Sequence, residues 1–395
     1  MADGELAGVD VIRRLTDHAA TLLLRFAILS LSPGLLVTGR SLRAKAYGLR
    51  ALLMLGVAVT ILAVHAALLA NVLPITQLFP ALLTTVAPSF ALIVAINVAL
   101  ESTAPLSTQD FPVGWSAFSY GPPTAQYVGA TVSVENDFLG LAVGLLTRVH
   151  PLVTRAQAQT IRDTLADDFE AMAGRPELER LPSMLPWHYP NPKLGLQACA
   201  PSRGHAYVYC PPHAVGAKLP LVVVCHGHGG NPLVGCLPWE DLADDLGFVA
   251  AFPTFGYGNW EHPDAAAAIL RCRQAVTERF AVDGSRAVLA GLSQGGCGVT
   301  RGATAATWAG LVYVSPTMEP RRFDADFATW SPGPILVAQG GRDINVKPRT
   351  VDAGVAALRS LGLDVTYVQD PDADHFYFFE KRADFAERFR AWWPS

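Results

Sequence analysis

Hydrophobic and polar positions change rhythm three times along the chain. Residues 1–18 mix polar and charged side chains, with no short basic region leading to a small-residue cleavage site, which argues against a cleaved signal peptide. Residues 19–38 are apolar but broken by Arg25 and Pro33, a pattern that either spans a bilayer weakly or lies along its surface. The run from Ala51 to Leu73 contains no Asp, Glu, Lys or Arg. At ~1.5 Å per helical residue it reaches about 34 Å, enough to cross a hydrocarbon core of ~30 Å. A second uncharged run, Phe79 to Leu100, carries Pro80 near its start and Pro88 inside, which would kink it. The short link Pro74 to Leu78 makes the two runs an antiparallel pair. The pattern therefore predicts a polar or interfacial segment over 1–50 and a transmembrane helical hairpin over 51–100. A buried apolar helix pair is the competing reading.

Residues 101–180 read as a linker. Its first part, 101–130, is rich in Ser, Thr, Pro, Gly and aromatics and predicts irregular chain. Thr154 to Ala173 follows, with Ile161, Leu165, Phe169 and Met172 on one stripe, a Thr154 cap and Gly174 at the end. This amphipathic helix either joins two domains or covers the mouth of a site.

From about residue 181 the rhythm becomes strand and helix in turn. Leu194 to Cys199 and His205 to Cys210 suit opening strands around the turn at 201–204, and Leu219 to Cys225 is a continuous β-branched run, as in a strand buried on both faces. Phe248 to Pro253, Arg286 to Ala290, Leu311 to Val314, Ile335 to Ala338 and Val365 to Val368 add further strands. Helices are predicted over Ala265 to Phe280, Val351 to Leu361 and Arg382 to Trp393. Such alternation implies a mostly parallel, doubly wound α/β sheet, with ligands at the carboxyl ends of the strands.

Composition sharpens the picture at three points. Of 395 residues, 51% are hydrophobic and 16% charged, and the mean hydropathy is +0.27, which supports a membrane-associated first third. The formal net charge is -4 without a basic tract, which disfavours nucleic acid as a partner. Six cysteines show no zinc-like spacing. Cys199 and Cys210 could pair across adjacent strands in an oxidising compartment. Membrane orientation is divided. Arg40, Arg43, Lys45 and Arg50 before the first run favour a cytoplasmic catalytic domain in an inner or plasma membrane, whereas Glu101 to Thr147, without Lys or Arg, suits the outer face.

Candidate chemistry centres on Gly291-Leu-Ser293-Gln-Gly295, directly after the strand Arg286 to Ala290. In Gly-x-Ser-x-Gly a serine occupies a sharp strand-to-helix turn that lifts its hydroxyl above the sheet. His226-Gly-His228-Gly229-Gly230 follows the strand ending at Cys225. Backbone N–H groups there, of His228 or Gly229, together with that of Gln294, would supply oxyanion donors. His226 and His228 also have His-x-His spacing, but no third ligand matches, so no metal is expected. Asp343 follows the strand Ile335 to Ala338, and His375 follows the last strand. A carboxylate can fix the tautomer of a histidine that serves as base. Asp370, Asp372 and Asp374 are alternative acids, close to His375 in sequence. His226, Phe255, Tyr257 and Trp260 are candidates to line a substrate pocket.

On these residues, HGHGG, GLSQGG, GGRD and DADHF, the stretch 181–395 resembles the α/β-hydrolase superfamily, in particular its carboxylesterase, acyl-thioesterase and prolyl-oligopeptidase-like branches. The resemblance implies an α/β-hydrolase fold and a Ser293, Asp343, His375 triad working without a cofactor on a small ester or acyl substrate. A serine peptidase of the same fold and a non-catalytic binding module are the alternatives.

Overall fold

The computed structural model describes residues 32–40, 42–69, 88–89, 91–92, 113–120, 159, 161–173, 175, 203–212, 218–227, 232–255, 259–330 and 333–394. The chain divides into two compact units, one of 1–103 with 133–144 and one of 104–132 with 145–395. In the first, a 3-10 turn over Ser32–Gly34 leads into α1 (Leu35–Thr38), and Gly39 turns the chain toward α2 (Leu42–Leu69). α2 begins before the uncharged run and carries Arg43, Lys45 and Arg50 in the same helix. Leu52 and Val59 on it are exposed.

The predicted transmembrane hairpin is not supported among the described residues. Among the described residues no helix is long and apolar enough to cross a membrane. The second arm, 79–100, lies outside the described residues except at 88–89 and 91–92, as do 19–31 and the link at 74–78.

The second unit is organised by one sheet, whose described strands run in the order β1-β2-β4-β3-β5-β6-β7-β8. These are β1 (Gly114–Ser119), β2 (Arg203–Cys210), β3 (Leu219–Cys225), β4 (Val249–Phe255), β5 (Val282–Leu292), β6 (Gly310–Val314), β7 (Ile335–Gly340) and β8 (Val365–Asp370). β1 and β2 join antiparallel, and from β4 to β8 every pairing is parallel. The helices are α3 (Ala166–Ala173), α4 (Cys236–Leu246), α5 (Ala265–Arg279), α6 (Gly295–Ala303), α7 (Ala325–Trp330), α8 (Pro348–Ser360), α9 (Tyr377–Glu380) and α10 (Arg382–Trp392). Mostly parallel strands with helical crossovers bury both faces of the sheet. That is why β3 and β4 are buried almost end to end and why their sequences read as unbroken apolar runs. Leu221, Val223, Leu289, Tyr313 and Val337 stack along one face against Ile269 and Val276 of α5 and Val351 and Val355 of α8. This is the doubly wound α/β sheet expected from the alternation of elements.

Two elements differ from expectation. β1 lies in the stretch read as irregular, paired with β2 from Gly114↔Cys210 to Ser119↔His205. Trp115 packs on Tyr209 and Phe252, with ring centroids 5.3 and 5.6 Å apart, and its Nε1 donates to Glu240. The expected strand 194–199 lies outside the described residues. Cys210 is a free thiol, its suggested partner Cys199 lying outside them too. Of the helix expected over 154–173, the described residues 161–173 form a π-helical turn over Ile161–Leu165 continued by α3, and 154–158 and 160 lie outside the described residues. Asp168 pairs with Arg382 at 2.6 Å, Arg175 with Glu240 at 2.5 Å, and the Cys236 thiol meets Met172 sulfur at 3.5 Å. These contacts hold the segment against α4 and α10.

Candidate active site

The carboxyl end of β5 turns at Ser293 into α6. Ser293 has φ 55°, a left-handed conformation that costs a non-glycine residue on the order of 1–2 kcal/mol. Close packing enforces it. A Cβ at Gly295 would lie 2.2 Å from the Cys225 carbonyl oxygen, and one at Gly291 would lie 2.3 Å from that of Gly295. Neither backbone can yield, so both positions require glycine. The turn is pinned from its other side. Ser293 N–H donates to Val314 O at 2.9 Å, and Ser293 O accepts from Thr317 N–H at 2.8 Å and Gly296 N–H at 3.0 Å.

The residues singled out at 343 and 375 come to this turn. His375 Nε2 lies 3.1 Å from Ser293 Oγ, and His375 Nδ1 lies 2.8 Å from Asp343 Oδ2. Asp343 Oδ1 accepts the N–H groups of Asn345 and Val346, each at 2.8 Å, and Oδ2 also accepts from Gln339 Nε2 at 2.9 Å. The Asp343 side chain is wholly buried and that of His375 is 13% exposed. An acceptor-only carboxylate calls for a proton on Nδ1, which leaves the Nε2 lone pair facing the serine hydroxyl. The three nearby acids are engaged elsewhere. Asp372 pairs with Arg342, Asp370 Oδ1 accepts the N–H groups of Asp372 and Ala373, and Asp374 Oδ1 accepts the Phe376 N–H. Burial, reinforced by the charge of Asp374, holds the Glu380 carboxyl above the usual carboxylate range.

The proposed oxyanion donors divide. Gln294 is buried and immediately precedes α6, where the helix dipole favours negative charge. His228 and Gly229 lie outside the described residues, as does Tyr257. The loop that carries them starts beside the nucleophile, since a Cβ at Gly227 would sit 3.6 Å from Ser293 Cβ.

The remaining three candidates are buried together. His226 Nε2 accepts the Phe255 N–H at 3.2 Å, and its Nδ1 meets Gly227 O at 2.8 Å. Trp260 Nε1 donates to His226 O at 2.9 Å, and the Trp260 and Phe255 rings stack 5.0 Å apart. Phe255 and Trp260 are 1% and 0% exposed, so they brace the loop from within the core. Both His226 nitrogens are committed to this brace, and among the described residues no cluster of His, Cys, Asp and Glu suited to a metal ion occurs. Cys225 is buried below the turn, which pushes its thiol well up and keeps it protonated.

Two supporting residues carry no sequence signal of their own. Thr317 holds the Ser293 carbonyl, and Gln339 holds Asp343. The loop before Thr317 begins at Ser315, buried and left-handed at φ 42°. Only the position of Gln339, one residue past a predicted strand, pointed toward it.

No protein-family model matches the chain, and no curated protein is detectably similar in sequence. Solved structures resemble parts of it. A Pyrococcus horikoshii acylaminoacyl peptidase is 12% identical with a TM-score of 0.39, over 48% of this chain and 40% of its own length. Esterase PE8 is 17% identical with a TM-score of 0.39, over 47% of this chain and 97% of its own. An S-formylglutathione hydrolase from Agrobacterium tumefaciens is 18% identical with a TM-score of 0.40, over 48% and 90%.

Proposed function

We propose that the chain is a serine hydrolase that cleaves small carboxylic esters or thioesters through an acyl-enzyme, with no cofactor. The observation that carries this reading is the His375 ring, 3.1 Å from the Ser293 hydroxyl on one side and 2.8 Å from the Asp343 carboxylate on the other. In this reading His375 takes the hydroxyl proton as Ser293 attacks the acyl carbonyl. Asp343 holds the ring and stabilises the imidazolium. The Gln294 N–H, with an N–H from the loop at 228–229, meets the charge that develops on the carbonyl oxygen. His375 then returns the proton to the leaving group, and water, activated the same way, releases the acid. An activated ester comes first among substrates because its leaving group needs less protonation than an amine does. The purified chain is expected to hydrolyse p-nitrophenyl butyrate with kcat/KM of about 10^4 M⁻¹s⁻¹, at the lower end of the enzymatic range. Folded protein that gives no rate above buffer sinks the reading.

Membrane association of the first unit belongs to the same proposal. It rests on the uncharged run from Ala51 to Leu73 and on the exposure of Leu52 and Val59. The full chain is expected to co-sediment with phospholipid vesicles at physiological salt. A chain that stays wholly in the supernatant contradicts it.

A further inference from the structure

The carboxylate that turns His375 is itself held by a side chain from the strand that leads into its own loop. Gln339, the penultimate residue of β7, is wholly buried. Its Nε2 donates to Asp343 Oδ2 at 2.9 Å, to Val346 O at 3.0 Å and, more weakly, to Gly340 O at 3.3 Å. The oxygen it meets on Asp343 is the one that faces His375 Nδ1. The other, Oδ1, is taken by the N–H groups of Asn345 and Val346. Rotation of the carboxylate about its own axis would break all four bonds. Two backbone groups fix one oxygen, the Gln339 amide fixes the other, and the lone pair that remains is aimed at the imidazole. Reversing the amide would set Gln339 Oε1 against Asp343 Oδ2 and Val346 O, both acceptors, so its orientation follows from its partners.

A second observation separates this contact from ordinary packing. The Gln339 amide is the only side chain besides His375 that the described hydrogen bonds place on Asp343 Oδ2, the oxygen that faces the imidazole. An apolar side chain of the same length would fill the space and leave that oxygen with the imidazole alone.

We propose that Gln339 is a positioning residue for the Ser293, His375 and Asp343 set, selecting which lone pair of Asp343 accepts the hydrogen bond from His375 Nδ1–H. The proposal rests on the hydrolase reading above, and its test is arranged so that the two can fail separately. Gln339→Met keeps the length and removes the donor. Gln339→Asn keeps the amide and withdraws it by one methylene. Each is expected to lower kcat for p-nitrophenyl butyrate about ten- to hundredfold, since a small misplacement of a catalytic group is enough for that, with KM within about twofold of the parent. The low-field proton resonance on His375 Nδ1 is expected to shift or broaden in both variants, a response that a purely structural side chain would not produce. Parent-like kcat in either folded variant, a loss expressed in KM alone, or an unmoved resonance overturns the assignment. Failure of both variants to fold also overturns it, because Gln339 would then be structural. If the folded parent shows no hydrolysis, the hydrolase reading fails, and the resonance still decides whether Gln339 governs the His375–Asp343 contact.

Discussion

Replacing Ser293 by alanine is expected to lower kcat for p-nitrophenyl butyrate by about 10^6-fold, the scale on which removal of a serine nucleophile acts. Every other part of the site depends on that hydroxyl. His375 has no proton to take without it, and no acyl-enzyme forms. The Gln294 N–H of the proposed oxyanion site remains, so a residual acceleration of about 10^3- to 10^4-fold over water is expected to survive. The fold should be little affected. The left-handed turn at 293 is imposed by the contacts of Gly291 and Gly295 and by the Ser293 backbone bonds to Val314 and Thr317, none of which uses the hydroxyl. Rates measured by stopped assay, with thermal unfolding as a control, decide the point. A variant within tenfold of the parent would exclude Ser293 as nucleophile.

Asp343→Asn is expected to cost about 10^4-fold in kcat while leaving the protein folded. Its backbone partners dictate how the new side chain sits. The N–H groups of Asn345 and Val346 require an acceptor at Oδ1, which places the introduced amide nitrogen where Oδ2 was. That nitrogen is a donor and now faces His375 Nδ1. The imidazole must turn its lone pair toward the introduced amide and carry its proton on Nε2, pointing at Ser293 Oγ. A histidine in that tautomer cannot accept the serine proton. The same change sets two donors, the Gln339 amide and the introduced one, against each other, so some stability is lost as well. Steady-state kinetics across pH check the expectation. Parent-like kcat would mean that the carboxylate does not hold the ring in its working form.

How far the chain could be read from its sequence varied by region, for physical reasons. The sheet was legible where strands are buried on both faces, because LPLVVVC and RAVLA leave no room for another assignment. The arrangement of the candidate site was legible because the proposed chemistry restricts its residues. A strained turn packed against Cys225 and Gly295 needs glycines at fixed spacing, and the partners of Ser293 follow from strand ends that the pattern already placed. β1 was hidden because GWSAFS gains its burial only by pairing with β2, some 90 residues away in sequence. Local propensity carries no trace of such a partner. Phe255 and Trp260 were placed near the site, but whether a ring faces a pocket or the core depends on what covers it. Here His226 and Trp260 close on each other, with ring centroids 4.9 Å apart. In the first third, an uncharged run does not by itself fix its helix. α2 starts upstream at Leu42 and takes in charged residues that the run excludes. Gln339 was invisible because a glutamine at a strand end has no signature until its amide is seen against Asp343.

Covalent trapping tests the central claim most directly. A fluorophosphonate reacts with a serine hydroxyl only when a neighbouring base removes its proton. The folded chain is expected to gain a single adduct that maps to the peptide containing Ser293. The adduct should be absent in Ser293→Ala and form far more slowly in Asp343→Asn. No adduct on folded protein, or an adduct on any other residue, would contradict the account.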